Sequence, residues 1–327
     1  MVDREGCKIM KSKSFTSRSK IVPVIIDTDM ATDCDDAAAL AVAHALEKLG
    51  EAEILGVAVN NRGDSSLGAV AAINSYFGRK DIPLGAYKGD TVGTNEIPIA
   101  DNLANDTQGF GHQLCSRSQV PSAVELYRAI LAKRRHPDVV LVSIGHLNNM
   151  QDLLMSGPDS VCDLVGAALV ERSVSHAVIM GGNYPEGREH NFHARGSAES
   201  AAFVVGSWPT PILFSGFELG VRILTGPALA GLEDGNPVAR AYSLHSDRPL
   251  VRGRPSWDQT AVLAAIRGPH CFWNVSGPGR NRVEADGRNY WTNEADGPHE
   301  YLIERDDPDI VAAEIESLMV GDRARVP

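Results

Sequence analysis

Apolar runs of strand length recur along this chain, and stretches of helical period fill the gaps between them. VPVIID (22–27), EILGVAVN (53–60), DIPLGAY (81–87), DVVLVSIG (138–145), HAVIMGGN (176–183) and TPILFSGFE (210–218) are each bounded by turn-forming residues. Helical patterns occupy 35–49, 65–77, 121–135, 147–155, 160–171, 198–206, 226–245, 257–267 and 308–319. Strand–helix alternation predicts a mainly parallel sheet with helices on both faces, an α/β domain. The segment 271–305 reads as short antiparallel strands with Gly/Asn turns, and the polar stretch over 89–118 as a lid or specificity loop without a clear period. No repeat, linker or low-complexity run divides the chain. The expectation is one domain over 21–327, preceded by a disordered basic tail over 1–20.

Ligands of such sheets bind outside the carboxyl ends of the strands. At the first of those ends the chain places Asp27, Asp29, Asp33, Asp35 and Asp36 within ten positions, between an apolar run and an apolar helix. Like charges beside an apolar interior repel one another and resist desolvation. Asp35 and Asp36 fall in the first turn of the predicted helix, where the helix dipole favours negative charge. That accounts for two aspartates of the five. A hard divalent cation accounts for the others, because all the donors are oxygens and no Cys/His spacing suggests zinc. Ile144-Gly145, Met180-Gly181-Gly182-Asn183 and Phe217-Glu218 also lie at predicted strand ends.

Bulk properties narrow the partners. A formal net charge of −11 argues against nucleic acid and leaves a small neutral ligand open. No stretch approaches the roughly 20 unbroken apolar residues of a membrane helix. The five cysteines are scattered, with no CxxC pair, and the first 20 residues lack an apolar signal core. Both features lead to the expectation of a cytoplasmic protein with reduced thiols.

DTDMATDCDDAAAL (27–40) resembles the aspartate signature of the inosine–uridine-preferring nucleoside hydrolase family, DTDxGxDDAxAL. Two extra residues, and Ala31 in place of Gly, are similar to a bacterial branch with a DxDxxxDxDD signature. ILGVAVNN, LVSIGHLNN, VIMGGNY, EHNF, WPTPILFSGFELG and SWDQTAVLAAI resemble later family motifs, in the same order over 22–320. The resemblance implies a nucleoside-hydrolase fold, a dimer or tetramer, and one Ca²⁺ held by Asp29, Asp36, the carbonyl of Ile144 and Asp258. It implies Asp35 on the ribose 2′-hydroxyl, Glu189 and Asn191 on the 5′- and 3′-hydroxyls, and Asn60 and Asn183 among the residues that bind substrate. The implied reaction is hydrolysis of an N-glycosidic bond, with Asp29 as general base toward a Ca²⁺-bound water. Asp27 and Asp33 receive no direct role. Two other readings stay open: an aspartate-nucleophile phosphatase of the haloacid dehalogenase kind, and a nucleoside-binding protein without turnover.

Many family members carry a His immediately before the downstream Asp, where it protonates the departing base. Here that position is Trp257, either a core tryptophan at a helix start or an aromatic platform for a base. The alternative acids are His112, His146, His190, His193 and His245. Of these His193 has the best positional claim, since it lies near Glu189 and Asn191 in sequence. The stretch NFHARGSAESAA is longer than the corresponding family turn and inserts Arg195 and Glu199 near the site.

Overall fold

The structure, a computed structural model, describes residues 21–113 and 116–321, so the expected tail at 1–20 lies outside the described residues. Thirteen strands are present among them: β1 (Val22–Thr28), β2 (Ala52–Val59), β3 (Leu84–Ala86), β4 (Val139–Ile144), β5 (Val174–Met180), β6 (Glu186–Arg188), β7 (Ile212–Ser215), β8 (Leu224–Thr225), β9 (Arg254–Pro255), β10 (Trp273–Val275), β11 (Gly279–Val283), β12 (Arg288–Asn293) and β13 (His299–Glu304). Eleven of them form one sheet in the order β3-β2-β1-β4-β5-β7-β13-β11-β12-β6, with β10 added at β13. The run from β3 to β13 is parallel throughout, while β11, β12, β6 and β10 pair antiparallel. β8 and β9 form a separate two-stranded ribbon. The chain is a single α/β domain with a mostly parallel central sheet covered by helices.

Alternate side chains of each central strand enter opposite layers. Val24 and Ile26 of β1, with Val140 and Val142 of β4, pack under the helices Asp35–Lys48, Ser65–Tyr76, Trp257–Arg267 and Pro308–Val320. Ile25, Val139 and Leu141 pack on the other face, under Ala123–Leu131, Asn148–Met155, Gly166–Ser173 and Ala198–Ser207. Burying one such side chain fully contributes about 1.5–3 kcal/mol, so both faces of the sheet are stabilising.

The helix Asp35–Lys48 is buried at every position from Asp35 to Leu46. Its alanines allow close approach to Trp257–Arg267, a second helix rich in small residues, and the two pack against each other. This contact brings the acidic first turns of both helices together.

Three segments depart from the sequence reading. The stretch 89–118 contains a helix, Pro98–Asn105, that buries Ile99, Ala100, Leu103 and Ala104 and donates from Ala100 N to Ala31 O at 3.1 Å. Eight residues are too few for the periodicity to stand out from the polar flanks. The run 210–218 is a strand only over Ile212–Ser215, and a helical turn follows at Phe217–Gly220. The stretch 226–245 divides into a 3₁₀ turn, Pro227–Leu229, and the helix Pro237–Leu244, which Asn236 caps by accepting from Val238 N and Ala239 N.

Candidate active site

β1 sits between β2 and β4, with Asp27 beside Ala58 and Ser143 and Thr28 beside Val59 and Ile144. The ends of β1 and β4 therefore lie next to each other. A Cβ on Gly145 would stand 2.7 Å from Asp29 N and 2.8 Å from Asp29 Oδ1, so only glycine lets the two ends approach this closely. Asp27 points into the interior, where it accepts from Tyr127 Oη (2.5 Å), Asn60 Nδ2 (2.9 Å) and Asn149 Nδ2 (3.1 Å). Burial outweighs these donors and raises its carboxyl to about 7. Asp27 is thus a buried hub that fixes the strand end beneath the site.

Beyond it the chain builds a cavity, open to solvent and floored by acids. Asp35 and Asp36 project from the first turn of Asp35–Lys48 and Asp258 from that of Trp257–Arg267. One carboxylate oxygen from each of the three lies within 4.8 Å of the others. All three are buried, and desolvation together with mutual repulsion holds each well above the ordinary carboxylate range. Thr28 Oγ1 donates to Asp36 and fixes its orientation. Buried, crowded carboxylates with no cationic side chain bonded to them among the described residues fit a hard divalent cation.

Asp29 and Ile144 line the same cavity. The tight carboxylate trio, however, contains Asp35 where the expected ligand set had Asp29. The Oδ2 of Asp29 lies 3.6 Å from Nε2 of His146, on the β1–β4 side. Burial raises the Asp29 carboxyl to about 6, while His190 and Arg195 pull it down.

The facing wall comes from the segment after β6. Glu189 accepts from Asn191 N at 2.8 Å and from Gly182 N at 3.1 Å, and burial raises its carboxyl to about 8. Asn191 donates from Nδ2 to Met180 O at 3.2 Å, which ties the turn to the end of β5. Glu189, Asn191, Met180, His190 and Arg195 all line the cavity.

The rim is aromatic and cationic. Trp257 stacks on Phe217 with ring centres 5.4 Å apart and planes inclined by 23°, and its Nε1 donates to Phe217 O at 3.1 Å. The guanidinium carbon of Arg254 lies 5.2 Å from the Trp257 ring centre. A Cβ on Gly220 would meet Trp257 Cδ1 at 2.5 Å, so this glycine seats the ring.

Of the expected substrate residues, Asp35, Glu189, Asn191 and Trp257 come together in the cavity. Asn60 and Asn183 are not among the residues lining it. Asn60 is fully buried, bonding Asp27, and Asn183 bonds through its backbone to Asn289. Among the candidate acids only His190 lines the cavity. His193 lies beside it without reaching the lining, and His112 faces a second cavity with Asn74 and Lys80. His146 is buried behind Asp29, and His245 lies 3.6 Å from Asp33. Arg254 escaped the sequence reading altogether, since its partner Asp33 lies 221 residues away.

The fold and site define a mostly parallel α/β protein with a carboxylate cluster suited to a metal at its strand ends. The profile of the inosine-uridine preferring nucleoside hydrolase family matches residues 24–304, and the chain belongs to that family of hydrolases acting on N-glycosyl compounds. Among solved structures it is similar to an inosine-uridine preferring nucleoside hydrolase from Bacillus anthracis (16% identity, TM-score 0.66, covering 92% of this chain and 100% of that one). It is also similar to the plant nucleoside hydrolase PpNRh1 (17%, 0.63, 91% and 98%) and to the type III effector protein XopQ in a complex with adenosine diphosphate ribose (16%, 0.63, 93% and 94%). No curated protein matches the sequence significantly. Family membership sets aside the phosphatase reading, which also left Asp35, Asp36 and Asp258 without a role. No helix among the described residues is long and apolar enough to cross a membrane.

Proposed function

We propose that this protein hydrolyses the N-glycosidic bond of a ribonucleoside or related N-riboside, releasing free base and ribose, with one Ca²⁺ per chain. The observation that carries this reading is the convergence of Asp35, Asp36 and Asp258 in the cavity that Asp29, Glu189 and Asn191 also line. Asp29, Asp36, Asp258 and the carbonyl of Ile144 are the proposed Ca²⁺ ligands, and Asp35 is proposed to hold the ribose 2′-hydroxyl. When bound, the ion supplies Lewis-acid activation of water and a hold on the sugar diol.

The remaining work falls to side chains. Cleavage builds positive charge on the sugar ring, and the carboxylates around it stabilise that charge where it develops. Asp29 accepts a proton from the attacking water as oxygen bonds to the anomeric carbon. The carbon–nitrogen bond breaks, and its electron pair leaves with the base. Glu189 and Asn191 hold the 5′- and 3′-hydroxyls, and the Phe217–Trp257 pair forms the wall on the base side.

Incubation with a nucleoside panel, scored for free base, tests the reading. Base release that requires Ca²⁺ and disappears in Asp29→Ala is expected. Tight nucleoside binding with no base release under any metal condition would make the chain a binding protein of this fold.

A further inference from the structure

Arg195 is a cation in the cavity that the proposed reaction leaves unused. Two arginines line the cavity. Arg254 is engaged, donating to Asp33 and to Asp247 at 2.7 Å. The guanidinium of Arg195 takes no hydrogen-bond or ion-pair partner among the described residues.

Its backbone is committed nonetheless. Arg195 has φ +54, in the left-handed region, and Arg248 is the only other described non-glycine residue with positive φ. Gly93 N donates to Arg195 O at 3.0 Å, and a Cβ on the following Gly196 would stand 2.5 Å from Thr91 O. The fold therefore holds an arginine in an unfavoured conformation, at a cavity, with no hydrogen-bond or ion-pair partner among the described residues. Such positions concentrate where a ligand is engaged.

A plain nucleoside offers no anion to this side chain. Arg195 lies four residues beyond Asn191, on the segment proposed to hold the 5′- and 3′-hydroxyls, and its charge reaches Asp29 and His190. Both oxygens of Glu189, the acid of that segment, already accept backbone N–H groups, which offsets its repulsion of an incoming anion. Guanidinium groups bind phosphate through paired N–H donors. Resting on the N-ribosyl hydrolase reading, we propose that Arg195 binds a phosphate ester on the ribose 5′-oxygen, replacing the free 5′-hydroxyl that Glu189 would hold in an unphosphorylated nucleoside, so that the substrates are 5′-phosphorylated N-ribosides.

The test compares base release from inosine and inosine 5′-monophosphate by the Ca²⁺-loaded full chain at matched ionic strength. Calorimetry with ribose 5-phosphate and with ribose accompanies it. We expect kcat/KM for the phosphorylated substrate at least tenfold above that for inosine. Arg195→Gly, which suits the backbone conformation, should lower that ratio at least tenfold, and Arg195→Lys should keep part of it. Arg195→Gln, which keeps the side chain's length and removes its charge, reads the same ratio if the glycine variant does not fold. Equal kcat/KM for the two substrates, or a ratio unmoved by removing the charge, overturns the proposal. Arg195-dependent binding of ribose 5-phosphate without base release from either substrate would uphold the phosphate site and defeat the hydrolase reading. Inosine hydrolysis with no preference for phosphate would do the reverse.

Discussion

Arg254 donates from Nε to Oδ1 of Asp33 at 3.0 Å, across a sequence separation of 221 residues, and its guanidinium also lies over Trp257. One arginine thus joins the aspartate loop after β1 to the aromatic rim. Burial alone would raise the Asp33 carboxyl, but the hydrogen bonds and charge of Arg254 outweigh it and hold Asp33 below the usual range. Asp33, without a role in the aspartate signature, is an anchor for the rim.

Asp33→Ala should therefore cost roughly 1.5–3 kcal/mol in urea unfolding, the range for hydrogen bonds to charged groups. The side chains are 29% and 17% exposed, which places the pair below the fully buried limit. The sign with pH follows from the depressed carboxyl: the contribution is present above the ordinary value of 3.8 and is lost as pH falls. A variant as stable as wild type at pH 7 would show the pair to be solvent-screened.

The metal-free site should have the opposite pH dependence. Asp27 and Glu189 are raised to about 7 and about 8, so the folded chain binds these protons more tightly than the unfolded chain does. Their contribution is fully present below the ordinary values of 3.8 and 4.5 and is lost as pH rises toward 7–8. Chelated protein should melt at a lower temperature at pH 8 than at pH 5. Ca²⁺ at a hundredfold excess over its Kd should restore about 2.7 kcal/mol at pH 8. Melting curves at pH 8 that coincide with and without Ca²⁺ would remove the ion from the site.

Trp257→Ala should raise KM for nucleosides by the equivalent of roughly 1–3 kcal/mol, the range for base–aromatic stacking, with less effect on kcat. Gly220→Ala is a broader perturbation, because the added methyl would meet Trp257 Cα at 2.6 Å as well as its ring and so press on the helix start that carries Asp258. Should kcat fall while KM holds in Trp257→Ala, the aromatic pair acts on the reacting bond and not on the base.

Much of this architecture is legible in the sequence, for identifiable reasons. Val22–Thr28, Val139–Ile144 and Trp257–Arg267 stand within a residue or so of their expected bounds because continuous apolar runs end at Gly, Asp or Ser. The aspartate cluster is legible because crowding of like charge demands an explanation. Contacts that the fold alone brings together are not. Tyr127 and Asn149 meet Asp27 from 100 and 122 residues away, and nothing local marks them. His193 lies close to Asn191 in sequence, yet in the short turn His190–His193 it is His190 that reaches the cavity.

His190 is therefore the candidate leaving-group acid to test, as the one of the five candidate histidines that lines the cavity. Burial lowers its pKa below the ordinary 6.5, partly opposed by Asp29, so a smaller fraction of His190 than of a free imidazole is protonated at neutral pH. Asp29 must be ionised to accept the water proton, and its carboxyl, at about 6 without metal, falls further when a cation binds beside it. Turnover of inosine should therefore follow a bell-shaped pH profile, with Asp29 on the acidic limb and His190 on the basic limb. A general acid supplies about 10²–10⁴-fold, so His190→Ala should lower inosine turnover by about a hundredfold or more and abolish the basic limb. Nitrophenyl riboside, whose leaving group needs no proton, should lack the basic limb in wild type and lose little turnover in His190→Ala. A basic limb that persists in His190→Ala and vanishes in His193→Ala would move the acid to the histidine nearer Asn191 in sequence. Equal losses on both substrates would make His190 a positioning residue for Asp29, acting on the attacking water.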